Sequence, residues 1–154
     1  MEPERNKDCF VCLKHLRLES DNGCLIFEND LVVVSHALLF GEEKDHYLGH
    51  AFVETKRHVS GIDDLTKTEA EAIGWFASLT ARALVATMGF EHIYTFVLGD
   101  HVPHFHMHVI GRYPETPREY WGNKVDEWPG APRGNETQIN QIAQKLRYYF
   151  EQLR

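Results

Sequence analysis

A chain of 154 residues, 43% of them hydrophobic, is long enough to bury a core without disulfide staples, and one domain over 1–154 accounts for its length. The formal net charge of -7 at pH 7 argues against a surface that follows a nucleic-acid backbone, which needs clustered Lys and Arg, and leaves room for a small anion neutralised locally. The charged start from Met1 to Asp8, and uncharged runs far short of a membrane span, make a soluble cytoplasmic chain with no membrane partner the expectation.

In chain order, Cys9-Phe10-Val11-Cys12 comes first. Three cysteines, two of them in a Cys-x-x-Cys pair, fit a reducing compartment and a metal or redox role better than a disulfide framework. Cys24 stands alone in an apolar run and is expected to be buried. The runs Cys24 to Phe27 and Leu31 to Val34, separated by Glu28-Asn29-Asp30, predict a hairpin. Ala37 to Leu48 reads as an exposed loop, and His50 to Thr55 as a strand. Thr66 with Glu69 forms a capping-box signature, and apolar residues then recur at helical spacing up to Gly89. On this long helix Trp75 and Phe76 are expected to pack into the core. Ile93 to Leu98 predicts a further strand. Arg112 to Gly134 is irregular, polar and Trp-containing, with Trp121 and Trp128 expected to anchor it. Asn135 and Gln138 cap a last helix striped by Ile139, Ile142, Leu146, Tyr149, Phe150 and Leu153. The pattern is α+β, an antiparallel sheet with helices packed on it. Residues 9–112 carry the motifs, and 113–154 form a C-terminal extension and helix.

The most informative stretch is Pro103-His104-Phe105-His106-Met107-His108-Val109-Ile110. In a strand, alternation places His104, His106 and His108 on one face, roughly 7 Å apart, and Phe105, Met107 and Val109 on the other. Imidazoles so placed can ligate metal, attack an electrophile or donate a proton near neutral pH. The stretch resembles the signature of the histidine triad (HIT) superfamily of nucleotide-binding proteins, His-x-His-x-His followed by two apolar residues. The resemblance implies a five-stranded antiparallel sheet with a long helix packed on it, commonly a homodimer, and a nucleotide as small-molecule partner. It also implies that His106 attacks an α-phosphate to give a nucleotidyl-histidine intermediate. His108 would then hold a phosphoryl or bridging oxygen, with His50 of Gly49-His50-Ala51 brought alongside.

Cys9 and Cys12 have the spacing of a zinc knuckle, although a redox pair or two buried thiols fit it as well. A branch of the superfamily that includes diadenosine tetraphosphate hydrolase-like proteins binds zinc through such a pair, a histidine after a basic turn and the first triad histidine. The resemblance therefore implies a structural zinc at Cys9, Cys12, His58 and His104. Two departures stand out. Asp100, beside His101, occupies the place of a family glutamine on the leaving-group side, and these two residues are the candidates for further nucleotide contact. Val34-Ser35-His36 stands where the family holds ribose with Asp or Asn. Phe27 and Phe40 are candidates for contact with a base. The resemblance implies a nucleotide hydrolase or nucleotidyl transferase acting on dinucleoside polyphosphates or phosphoramidates, with water or phosphate as acceptor. Two other readings are a non-catalytic nucleotide-binding module and a metal-dependent hydrolase ligating its ion through all three triad histidines.

Overall fold

The computed structural model describes residues 5–21 and 23–153. In chain order its elements are α1 (Phe10–Ser20), β1 (Leu25–Glu28), β2 (Val32–His36), β3 (His46–Tyr47), β4 (His50–Thr55), α2 (Lys67–Met88), β5 (His92–Phe96), β6 (His106–Arg112), β7 (Arg133–Gly134) and α3 (Glu136–Leu153). A five-stranded sheet runs β1-β2-β4-β6-β5, antiparallel throughout, and β3 pairs with β7 beside it. The expected α+β architecture is present.

Local chemistry explains the boundaries. The Asn29 side-chain oxygen accepts from the backbone N–H groups of Leu31 and Val32, both at 2.9 Å, and closes the β1–β2 hairpin. Thr66 and Glu69 cap α2 reciprocally, and Gly89, with φ of 70°, ends it in the left-handed conformation. Asn135 and Gln138 exchange the same pair of bonds at the start of α3. No helix among the described residues is long and apolar enough to cross a membrane.

The two faces of the sheet have different tasks. Val32, Val34, Ala51, Val53 and Val109 face Ile73, Phe76 and Leu84 of α2 and Leu146 and Phe150 of α3, forming the main core. The opposite face carries His50, Phe52 and Glu54 of β4 against Ile110, His108 and His106 of β6, paired across the strands. This register turns a two-residue alternation into a row of polar side chains on a rigid support. Phe90 fills the space over Gly49 and Gly111, where an added Cβ would meet its ring at 2.1 Å in each case.

Several details depart from the sequence reading. Trp75 is not a core residue: it is 48% exposed beneath Arg82, because it lies a third of a turn away from the buried Phe76. The stretch from Ala37 to Leu48 is not wholly an exposed loop, since Ala37 and Tyr47 are buried and His46–Tyr47 pairs with Arg133–Gly134. A two-residue strand is too short to leave a periodicity. The last helix buries Ile139, Ala143, Leu146 and Phe150, while Leu153 is exposed. Helix α1 had no reading at all. It buries Lys14 and His15 together with Val11, Cys12 and Leu18, so its inward face is not apolar.

Candidate active site and metal centre

Cys9 is the N-cap of α1, and its sulfur accepts from the Cys12 backbone N–H at 3.5 Å. One turn of helix therefore aims both sulfurs at the same point, where the helix N-terminus favours negative charge. His104 lies two positions before the start of β6, and His58 follows β4. The ligand atoms of Cys9, Cys12, His58 and His104 all lie within 4.8 Å of one another. His104 Nδ1 is 3.4 Å from Cys9 Sγ and 3.5 Å from Cys12 Sγ, and His58 Nδ1 is 3.5 Å from Cys12 Sγ. A tetrahedral zinc with ordinary bond lengths separates its sulfur and nitrogen ligands by about 3.5 Å, so these residues fit such an ion. His104 Nε2–H donates to the Thr55 carbonyl at 2.7 Å, which leaves Nδ1 bare and fixes the ring. Burial keeps His104 neutral by lowering its pKa to about 4, and raises the Cys12 thiol. A cation at the centre of the cluster would supply the charge that a buried thiolate requires.

The other two triad histidines turn elsewhere. His106 Nδ1–H donates to the His104 carbonyl at 2.6 Å, and its Nε2 has no hydrogen-bond partner among the described residues. His108 Nδ1 is 2.9 Å from His50 Nε2, and its ring stacks on Phe96 at 4.4 Å. His50 continues to His46, 3.0 Å from Nδ1 to Nε2. Burial first, then neighbouring imidazoles, pushes His50 well below the ordinary histidine range, and burial followed by His106 brings His108 down to about 4. Both rings are neutral at physiological pH.

Beneath this row lies a buried ionic cluster. Lys14 Nζ is 2.7 Å and 2.8 Å from the two Glu54 oxygens, and His15 Nε2 is 3.1 Å from Oε1. His15 also meets the His104 ring edge-on at 5.5 Å. Burial alone would raise the Glu54 carboxyl, but Lys14 and His15 outweigh it and hold the group down at about 2.

A cleft beside the row is lined by Phe10, Lys14, Phe40, His46, Phe52 and His101, mostly through apolar surface. Phe10 and Phe40 meet edge to face at 5.0 Å. Phe40 thus lines a space open to a flat ring, whereas Phe27 is stacked on Phe76 at 4.6 Å inside the core. Asp100 is exposed, and His101 reaches the cleft. His36 is fully buried. Its Nδ1–H donates to the Ala37 carbonyl at 2.7 Å and its Nε2 accepts from Gly49 N–H at 2.9 Å, so it ties β2 to β4. Arg112, at the end of β6, lies under Trp121 at 3.6 Å, which fastens the irregular segment to the sheet.

The sequence reading missed Lys14, His15, Glu54 and His46. A charged residue in the apolar strand from His50 to Thr55 was the available signal for Glu54, but its partners lie 39 and 40 positions away.

The HIT domain family profile matches residues 22–115. No curated protein sequence matches the chain significantly. Among solved structures, a hypothetical histidine triad nucleotide-binding protein from Sulfolobus tokodaii superposes with a TM-score of 0.70 at 14% identity, over 94% of this chain and 93% of that one. A zinc-bound histidine triad family protein from Mycobacterium smegmatis gives 0.66 at 16% identity, over 95% of each chain. Diadenosine triphosphate hydrolase from Plasmodium falciparum gives 0.61 at 14% identity, over 86% of this chain and 79% of that one.

Proposed function

The chain belongs to the HIT domain family, and from that premise we propose that it is a nucleotide hydrolase or nucleotidyl transferase acting at the α-phosphate of dinucleoside polyphosphates or nucleoside phosphoramidates. The observation that carries this reading is the disposition of His106. Its Nδ1–H is committed to a carbonyl, so Nε2 is the ring atom left to supply the lone pair that in-line attack on phosphorus requires. In the first step the Nε2–P bond forms as the bond from phosphorus to the leaving atom breaks, with the electron pair going to the leaving atom. His108, on the same face, stabilises the phosphoryl oxygens and protonates the leaving atom. Water or phosphate then releases the nucleotide.

Phe10, Phe40 and Phe52 suit the base, and His101 suits the outer phosphates. His36 is too buried to serve ribose, and Asp100, exposed beside His101, is a candidate for contact with the nucleotide on the leaving-group side. Cys9, Cys12, His58 and His104 would hold a structural zinc: four protein ligands complete its shell, and its contribution is to fix the chain on either side of the site. A catalytic metal held by all three triad histidines finds no support, because the three Nδ1 atoms engage three different partners. The reading further includes a single domain over 1–154, a homodimer, a cytoplasmic setting and no nucleic-acid partner. Incubation with a panel of dinucleoside polyphosphates and phosphoramidates, with products resolved by chromatography, tests it. A nucleoside monophosphate or diphosphate product supports it, and intact substrate across the panel favours the binding-module reading.

A further inference from the structure

Resting on that reading of His106 and His108, we propose that Glu43, His46 and His50 form a proton relay ending at His108, in which His46 stores the proton that His108 delivers. His46 and Glu43 are positioning residues at the solvent end, acting through His50 and His108. The chain of contacts is continuous: Glu43 Oε2 to His46 Nδ1 at 3.4 Å, His46 Nε2 to His50 Nδ1 at 3.0 Å, and His50 Nε2 to His108 Nδ1 at 2.9 Å. The rings of His46, His50 and His108 also stack in succession, at 5.2 Å and 5.1 Å. The Phe40 backbone N–H donates to the other Glu43 oxygen at 3.0 Å and anchors the carboxylate.

The donor logic permits two states. A carboxylate only accepts, so His46 Nδ1 carries a hydrogen in both. With every ring neutral, His46 Nε2 accepts from His50 Nδ1–H and His50 Nε2 accepts from His108 Nδ1–H, which leaves His108 Nε2 a bare acceptor. Adding one proton to the chain reverses each bond. His46 becomes an imidazolium paired with Glu43, His46 Nε2–H donates to His50, His50 Nε2–H donates to His108, and His108 Nε2–H is a donor. When that hydrogen passes to the leaving atom, one proton moves from His50 to His108 and another from His46 to His50. The positive charge disappears at His46, and solvent restores it. Nothing is oxidised or reduced.

The surroundings favour His46 as the seat of the charge. His50 and His108 are buried, and each faces a cation or further imidazoles: Lys14 from α1, His36 from β2 and His106. Lys14 is neutralised by Glu54, and both nitrogens of His36 are bonded. Around His46, Asp45 is paired with Arg133 of β7 at 2.8 Å, Lys44 is its exposed chain neighbour, and His101 lines the same cleft. The His46 side chain, 18% exposed and next to the only carboxylate in the relay, is where a proton enters from water.

The test uses the full-length protein as purified, labelled with 15N in its histidine rings and followed by NMR from about pH 5 to about pH 9. The relay predicts one shared transition in which His46, His50 and His108 move together, with His108 changing from the Nε2–H to the Nδ1–H form as pH rises. Glu43→Gln should shift that transition toward acid. His46→Phe keeps the stacking but should abolish the shared transition, lower kcat by roughly tenfold or more, a larger factor than any change in KM, and remove the alkaline limb of the kcat profile. If His46 titrates alone while the His108 nitrogens stay fixed, or if Glu43→Gln moves nothing, the relay is overturned. If the shared transition is present but no nucleotide is turned over, the nucleotidyl-transfer reading fails and the relay stands.

Discussion

The carbonyl of His104 receives the Nδ1–H of His106 at 2.6 Å, while the His104 ring belongs to the cluster with Cys9, Cys12 and His58. One residue therefore faces the candidate metal site through its side chain and orients the proposed nucleophile through its backbone. Any ion that fixes His104 also fixes the acceptor that sets the tautomer of His106.

This coupling gives the first prediction. The parent should bind one zinc per chain, and Cys12→Ser should lose it, lower the unfolding midpoint and reduce turnover, all in one variant. Elemental analysis, thermal denaturation and steady-state kinetics measure the three effects. A variant that keeps one metal per chain would place the ion elsewhere.

Glu54 carries the second. Its folded pKa of about 2 lies below the ordinary 4.5, so the group stabilises the fold above about pH 4.5, and that contribution is lost as pH falls toward 2. Glu54→Gln leaves the Lys14 ammonium buried without a counter-charge and should cost about 3–5 kcal/mol near neutral pH. The double variant with Lys14→Met should recover much of the loss. Denaturant unfolding across pH measures both, and an unchanged acid dependence in Glu54→Gln would show that other carboxylates set it.

Much of this site could be read in one dimension. The spacing of Cys9 and Cys12 lets two thiolates reach one point and strand alternation groups His104, His106 and His108, whereas the meeting of His58 and His104 with the cysteine pair is implied only by the family resemblance; the cap residues Thr66, Glu69 and Gly89 act on their own helix. The β4–β6 register was not readable, and it is the register that sets Glu54 opposite His106 and Phe52 opposite His108. Nor was α1, whose buried Lys14 and His15 break the apolar periodicity that marks an amphipathic helix. His46 lies in a stretch that looks like a polar loop, and its meaning depends on a two-residue pairing with β7.

The aromatic cleft yields the third prediction. A nucleoside monophosphate soaked into crystals should place its base among Phe10, Phe40 and Phe52 and its phosphate against His106 and His108. Phe40→Ala should raise KM several-fold with little change in kcat, as expected for an interaction made equally in the ground and transition states. A ligand density confined to exposed Lys44 would contradict the assignment.

The last prediction separates the triad members by role. The strand that carries His106 is anchored by Phe105 and Val109, both buried, so His106→Ala should fold normally. No other imidazole on this face can replace it as nucleophile: His104 has its Nδ1 turned to the cysteines and its Nε2 bonded to the Thr55 carbonyl, and in the protonated relay His108 presents Nε2–H, a donor with no lone pair to attack. Turnover should therefore fall by several powers of ten, on the scale of losing a covalent nucleophile, while nucleotide affinity largely survives. His108→Ala should cost about a hundred- to a thousandfold, the usual worth of a donor to a developing oxyanion. Its loss should be smaller for substrates whose leaving group is already a good anion, because proton delivery then matters less. Acid-labile phosphohistidine has to be trapped under alkaline quench. The label should appear on His106 in the parent and in His108→Ala, and be absent in His106→Ala. Normal turnover by His106→Ala, or a label on any other residue, would overturn the proposed mechanism and leave the fold assignment intact.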